Sequence, residues 1–319
     1  MTVVRSSFRP APWLRNPHLQ TLWPVWFRRP RIVYRRERLE LPDGDFLDLD
    51  WGPLRNGPLV VIFHGLEGSS RSHYAAGLMA ALSRAGLQGV VMHFRGCSGE
   101  PNRRARRYTA GETDDPAHVL THLARRFPGR DLHAVGYSLG GNALLRLLGE
   151  DRPTVAIHSA VAVSVPFDLA LCARRLRRGL SRMYDRYLVT RLRRNLALQA
   201  ARPGFPIPAE RIRACRDLRG FDDQVTAPLH GFRDADHYYR SASARPILAR
   251  IRVPTLLLHA RDDPFMFPEV MPQANELGPH TRLEWSPHGG HVGFVEAPGR
   301  YWLERRIVRW LQTDHDAPR

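Results

Sequence analysis

Gly136-Tyr137-Ser138-Leu139-Gly140, followed by Gly141, lies between the apolar run Leu132-His133-Ala134-Val135 and the helix-forming stretch Asn142-Ala143-Leu144-Leu145-Arg146-Leu147-Leu148. This is a G-x-S-x-G pattern in the setting that gives it meaning: a strand turns into a helix so sharply that the serine is held strained, with its Oγ exposed. Flanking glycines leave room for the turn. Five residues with two free positions recur by chance, so the weight rests on the strand before the pattern and the helix after it. A serine hydroxyl is a weak nucleophile at neutral pH. The reading therefore needs a base, an acid to orient the base, and donors for a developing oxyanion.

Acid and base follow in chain order. Pro254-Thr255-Leu256-Leu257-Leu258-His259-Ala260 reads as a buried parallel strand that empties into Arg261-Asp262-Asp263-Pro264. An acid at the C-terminal end of such a strand faces the same crevice as the serine. Asp263, which immediately precedes the proline, is preferred to Asp262, which is assigned to the turn. Further on, Trp285-Ser286-Pro287-His288-Gly289-Gly290-His291-Val292-Gly293-Phe294 offers two histidines. His291 is the better base, because Gly290 and Gly293 let a loop carry its imidazole onto Ser138; His288 is read as a loop-shaping neighbour. Leu139 supplies one backbone N–H for an oxyanion. Leu66, in the turn His64-Gly65-Leu66-Glu67-Gly68 after the apolar run Leu59-Val60-Val61-Ile62-Phe63, is the candidate for the second.

Strand and helix patterns alternate along most of the chain. Strands are expected near 38–41, 45–51, 59–63, 89–94, 132–135 and 160–165, with helices near 72–85 and 116–126 and after Ser138. Asp115 is placed as the cap of the second helix, ahead of Pro116 in its first turn. The alternation predicts a mostly parallel sheet with helices on both faces. Residues 1 to about 35, which carry Trp13, Trp23 and Trp26, are expected to wrap the core or border the site entrance. From Pro166 to about Ala244 the alternation stops, and nine arginines between Arg174 and Arg194 interleave with Leu176, Leu180, Met183, Tyr184, Tyr187, Leu188 and Leu192. That spacing predicts amphipathic helices.

Composition narrows the class. The chain has 319 residues, a hydrophobic fraction of 43% and a formal net charge of +17. All 48 basic residues are arginine, which GC-rich codon usage explains better than selection for guanidinium chemistry. A positive field still concentrates anionic partners. Nucleic acid is not the expected one, since no recognised binding motif is present and aromatics are not interleaved with the basic runs. Cys97, Cys172 and Cys215 are odd in number and widely spaced, the pattern of reduced cytoplasmic thiols. The N-terminal stretch lacks the apolar core of a signal peptide, and no run is long enough to span a membrane. Fifteen histidines raise the question of a metal. No H-x-x-x-H pair is assigned to a helix and no cysteine spacing suits zinc, so His18, His73, His93, His118, His122 and His230 are read as surface or packing residues. Neither metal nor cofactor is expected.

The chain resembles the YheT-type branch of the α/β hydrolases, bacterial relatives of the ABHD lipases and esterases. The resemblance rests on Asn16-Pro17-His18-Leu19-Gln20-Thr21-Leu22, Leu41-Pro42-Asp43-Gly44-Asp45-Phe46, His64-Gly65-Leu66-Glu67-Gly68-Ser69 and Gly136-Tyr137-Ser138-Leu139-Gly140-Gly141-Asn142. It rests further on Asp262-Asp263-Pro264-Phe265-Met266, on the His288 to Phe294 loop, and above all on Met92-His93-Phe94-Arg95-Gly96-Cys97-Ser98-Gly99-Glu100-Pro101-Asn102-Arg103. Phe221-Asp222-Asp223, Gly231-Phe232 and His237-Tyr238-Tyr239 also match and are read as packing between the helical insertion and the core. One departure is Thr109-Ala110-Gly111, where the family usually carries His-Ser-Gly. The resemblance implies an α/β-hydrolase fold in one domain over 1–319, with residues 167–244 as a helical cap whose apolar stripe covers the acyl site. It implies a serine carboxylic-ester hydrolase with the triad Ser138, Asp263 and His291, acting on short- to medium-chain esters or monoacylglycerols. An acyltransferase using the same acyl-enzyme and a non-catalytic binding protein are the competing readings. The expected location is cytoplasmic, with peripheral contact to an anionic membrane through the arginine-rich cap. No motif bears on oligomeric state.

Overall fold

Apolar runs of five or six residues, buried on both faces, set the centre of the molecule. The computed structural model describes residues 2–28, 30–150, 156–202 and 204–313. In chain order the elements begin with β1 (Val3–Arg5), α1 (Pro17–Phe27), β2 (Arg35–Glu40), β3 (Phe46–Trp51) and β4 (Leu59–Phe63). They continue with α2 (His73–Arg84), β5 (Gln88–Met92), α3 (Asp114–Arg126), β6 (Leu132–Tyr137), α4 (Leu139–Gly149) and β7 (Ser159–Val163). A helical stretch follows: α5 (Leu169–Leu176), α6 (Arg182–Ala200), α7 (Ala209–Ala214), α8 (Leu218–Phe221), a π-helical turn Asp222–Thr226, α9 (Ala227–Leu229) and α10 (Ala235–Ala242). The chain returns through β8 (Thr255–Ala260), β9 (Thr281–Ser286), β10 (Val295–Ala297), β11 (Arg300–Tyr301) and α11 (Trp302–Leu311).

Nine strands form one sheet in the order β1-β9-β8-β7-β6-β4-β5-β3-β2. The seven strands from β1 to β5 in that order are parallel, and β3 and β2 complete the edge antiparallel. Successive side chains of a strand point to opposite faces, and β4 divides accordingly: Leu59, Val61 and Phe63 enter one apolar layer, Val60 and Ile62 the other. The first layer is closed by α3 and α4, the second by α2 and α11. Because β4, β6, β7 and β8 run parallel, the turns that follow them emerge along one edge of the sheet. His64, Ser138, Ser164 and Asp263 all lie just past those strand ends.

Several expectations need correction. Asp115 does not cap α3: the helix starts at Asp114 with Thr113 at its cap position, and Asp115 is buried and paired bidentately with Arg95. Its carboxylate answers a buried guanidinium rather than free helical N–H groups. Strands β1 and β9 and helix α11 go unassigned in the sequence. The first is a three-residue edge strand, and β9 interrupts its apolar positions with Arg282 and Glu284. The N-terminal segment does more than wrap the core, since β1 extends the sheet by pairing with β9. Lastly, Leu180, Met183 and Tyr187 are not turned inward with the rest of their stripe; they are 71%, 52% and 56% exposed.

Candidate active site

The turn between β6 and α4 holds Ser138 at φ 51° and ψ −119°, a conformation that L-residues rarely adopt. Its geometry depends on absent side chains. A Cβ on Gly136 would lie 2.5 Å from the carbonyl oxygen of Gly140, and one on Gly140 would lie 2.4 Å from that of His64. The strained serine is joined by Glu67, Ser164, Val292 and Phe294, which complete the set of non-glycine residues with positive φ among the described residues. All five sit in loops at this one edge of the sheet. Backbone strain of this kind persists where surrounding structure holds it and clusters at functional sites.

The Ser138 hydroxyl lies 3.0 Å from His291 Nε2, and His291 Nδ1 lies 2.7 Å from Asp263 Oδ2. An ionised carboxylate only accepts, so Nδ1–H donates to Asp263 and Nε2 is left to accept from the serine. Asp263 is buried, and its other oxygen accepts the Phe265 N–H. Asp262 points elsewhere: it accepts the Gly290 N–H and meets His288 Nδ1 at 3.3 Å. Burial raises its pKa. Of the two neighbouring acids, Asp263 is thus the one brought to His291, while Asp262 and His288 shape the loop.

The loop carrying His291 is held by α1. Thr21 Oγ1 accepts the His291 N–H, and the buried Gln20 amide donates to the carbonyls of Leu14 and Val295 while accepting the Val295 N–H. The fit is close enough that a Cβ on Gly293 would lie 2.3 Å from the Gln20 carbonyl oxygen. Asn16 caps this helix by accepting the N–H groups of His18 and Leu19. Phe265 stacks flat on the imidazole, with ring centroids 4.0 Å apart and planes 5° from parallel. The sequence places the segment of α1 at the site entrance at most and gives it no hold on the histidine loop, and Phe265 is marked only by the resemblance.

Leu66 and Leu139 both line the cavity that contains Ser138 and His291. Neither backbone N–H has a hydrogen-bond partner among the described residues. The loop bearing Leu66 is wired tightly. Gly65 N–H donates to Tyr74 OH, and the Glu67 carboxylate receives Arg107, Tyr108 and Asn195. Arg191, on α6, donates to the Glu67 carbonyl. Glu67 therefore ties the turn after β4 to the helical stretch above it.

His64 sets the other side of this turn. Its Nδ1 meets the Gly65 carbonyl at 2.8 Å and its Nε2 accepts the Phe94 N–H, so only the neutral ring satisfies both. Burial lowers its pKa to about 3, with charge repulsion from His93 second. An unfolded histidine takes up a proton below about pH 6.5. The neutral ring's contribution is therefore full above that value and is lost as pH falls toward 3. The denaturation midpoint is expected to drop between pH 7 and 4, and His64→Gln should flatten that slope by up to one proton, about 1.4 kcal/mol per pH unit. An unchanged slope in urea titrations would remove His64 from the acid response.

Asn142 binds the elbow helix to the segment with the unusual Thr109-Ala110-Gly111. Its amide donates to the carbonyls of Ala110 and Ala242 and accepts the Ala244 N–H, while the Ala110 N–H donates to Tyr238 OH. The hydrogen bonds at residue 110 use its backbone alone, while its methyl group packs in the first apolar layer. His118 and His122 do stand one turn apart on α3, contrary to the sequence expectation for histidine pairs. No group of three His, Cys, Asp or Glu side chains able to hold a metal ion occurs among the described residues.

A strained serine after a parallel strand, a histidine and a buried carboxylate in one hydrogen-bonded line, and glycine-lined turns around them define a hydrolase of the α/β class. Residues 58–298 match the family model described as alpha/beta hydrolase fold, and the chain belongs to that family. It is 47% identical to YheT of Escherichia coli (strain K12), over 97% of this chain and 94% of that protein. It is 31% identical to the monoacylglycerol lipase of Saccharomyces cerevisiae (strain ATCC 204508 / S288c), over 81% of this chain and 60% of that one. The Pyrococcus furiosus esterase Pf2001 shares the fold at a TM-score of 0.59 and 16% identity, with 97% of each chain covered.

Proposed function

We propose that the protein is a carboxylic ester hydrolase in which Ser138 is acylated and then deacylated by water. The observation that carries this reading is the line Asp263, His291, Ser138, with its 2.7 and 3.0 Å contacts, open to a cavity of about 1590 Å³. His291 Nε2 takes the Ser138 proton as Oγ attacks the ester carbonyl, and Asp263 stabilises the imidazolium that results. The Leu66 and Leu139 N–H groups receive the oxyanion. Collapse of the tetrahedral species breaks the bond to the alcohol, which leaves with the proton from His291; water then repeats the sequence and frees the acid.

The walls support an acyl substrate. Leu169, Leu176, Leu188, Met266 and Val292 line the cavity on its apolar side, and residues 167–244 act as a cap whose helices α5 and α6 form part of that wall. Short- to medium-chain esters or monoacylglycerols are the substrates proposed, in keeping with the activity named for the yeast relative. The three cysteines are free and buried, which favours a cytoplasmic site of action. Among the described residues no helix is long and apolar enough to cross a membrane.

The test is labelling of the purified protein with a fluorophosphonate, followed by a p-nitrophenyl ester chain-length series with and without an added acceptor alcohol. Labelling at Ser138 with release of free acid is expected. Acyl transfer to the alcohol in preference to water would make the enzyme a transferase, and absence of both labelling and turnover would leave the fold a binding module.

A further inference from the structure

We infer that the rim of this cavity is a docking surface for a bilayer bearing anionic headgroups. The inference rests on the reading of the cavity as the place of ester cleavage, and it centres membrane contact on exposed apolar side chains of α1 and α6, with only Arg182 and Arg186 of the cap arginines beside them. Every exposed large apolar side chain among the described residues, apart from Leu54 and Leu198, falls in two short segments, 13–33 and 180–187. Chance scatter would spread such residues over the whole surface. Here they gather on α1 with its flanks and on the start of α6.

The two segments are one place in the fold. His18 Nδ1 lies 3.0 Å from Tyr184 OH, and the two rings are stacked. Val25 and Trp26 from the first segment and Met183 and Tyr187 from the second line the same cavity as Ser138. The apolar segments therefore border the cavity that holds the serine. Exposed apolar patches of this kind mark interaction sites.

Charge indicates which partner. Arg15 and Arg31 interrupt the first apolar segment, and Arg182 and Arg186 the second; all four are exposed and have no carboxylate within ion-pairing distance among the described residues. A protein partner of ordinary composition would leave these guanidinium groups to be matched one by one. Aromatic and aliphatic tips sunk among acyl chains, with arginines at the level of anionic phosphates, satisfy both sets at once. An ester drawn from the bilayer would then enter the cavity without crossing bulk water.

Vesicle sedimentation tests the proposal. The wild-type protein is expected to sediment with phosphatidylethanolamine–phosphatidylglycerol vesicles and to remain in solution with pure phosphatidylcholine. Phe27→Gln combined with Leu180→Gln alters two rim residues that do not line the cavity. This variant is expected to bind the anionic vesicles roughly tenfold more weakly while cleaving dissolved p-nitrophenyl butyrate at the wild-type rate. Failure of the wild type to bind, equal binding to phosphatidylcholine, or undiminished binding by the variant overturns the proposal. So does wild-type dimerisation that the same substitutions abolish, because the rim would then belong to a second copy of the chain. Turnover of the dissolved ester reports on the chemistry separately: its absence in both proteins would strike at the hydrolase reading and leave the sedimentation result standing by itself.

Discussion

Ser138→Ala is expected to lower p-nitrophenyl ester turnover by about 10⁴- to 10⁶-fold, with little change in the unfolding midpoint. Among the described residues the side chain's only hydrogen-bond partner is His291 Nε2, and alanine meets the strained backbone with the same Cβ that serine carries. Activity within tenfold of the wild type would sink the assignment of the nucleophile. Asp263→Asn extends the argument along the same line. An amide in that place can donate to Nδ1 and turn the imidazole to the tautomer that cannot accept from Ser138, a change that costs about 10⁴-fold in related chemistry. Asp262→Asn should cost about tenfold or less, by loosening the Gly290 N–H contact and the His288 pair rather than by changing the tautomer. The reverse order of effects in kcat would move the acid role to Asp262.

Arg95→Leu is expected to have the largest effect on stability, about 3–5 kcal/mol in equilibrium denaturation. The guanidinium is buried, pairs bidentately with Asp115 at 2.7 and 2.8 Å, and reaches Asp43 at 2.7 Å and Asp45 at 3.2 Å. Asp45 and Asp115 are themselves buried. Removing the cation leaves their charges without their main counterion in a place where water cannot replace it, so most of the cost is the stranded carboxylates. Replacing Asp115 by Asn in the same chain should therefore recover part of the loss. A loss below about 1 kcal/mol would show that the acids regain solvent and that the cluster is not a structural core. If the single variant does not fold, Arg95→Lys, which keeps the charge and loses the fork, should give an intermediate loss by the same measurement.

The Arg95 cluster also shows where the sequence falls silent. The long run from Met92 to Arg103 is recognisable by resemblance, yet nothing in its composition tells what it does. Its partners lie far along the chain: Asp50 for His93, Asp43, Asp45 and the downstream Asp115 for Arg95, and Asp45 with the Phe46 carbonyl for Asn102. Polar pairing of this sort has no period. By contrast, β4, β6 and β8 can be placed from their apolar runs, because strands buried on both faces read as near-continuous hydrophobic stretches, interrupted here only by His133, Thr255 and His259. The serine, Asp263 and His291 are legible for a related reason. Turns that follow such strands share one edge of the sheet, so residue type and chain order suffice to bring the three together in the mind. The clamp of Gln20 and Thr21 on the histidine loop has no such signal, since one glutamine and one threonine in a short helix look like any others. The edge strand β1 is missed because three residues are too few for a pattern, and the outward turn of Leu180, Met183 and Tyr187 because periodicity tells which residues share a helix face but not what that face meets.

The clamp has a consequence for how the chain becomes active. Residues 17–21 grip residues 290–295, β1 lies against β9, and the serine and its base are separated by 153 positions. During synthesis the β4 to β7 half of the sheet, with its elbow, can form while the C-terminal third is still being made. The N-terminal helix can meet Tyr184 of α6 before then, but the loop that Gln20 and Thr21 hold comes only with that last part. Contacts between such distant positions form late, because loop closure must precede any gain from them. A half-made chain would thus carry a bent but unarmed serine, and docking of the histidine loop, rather than folding of the sheet's centre, would be the step at which chemistry begins.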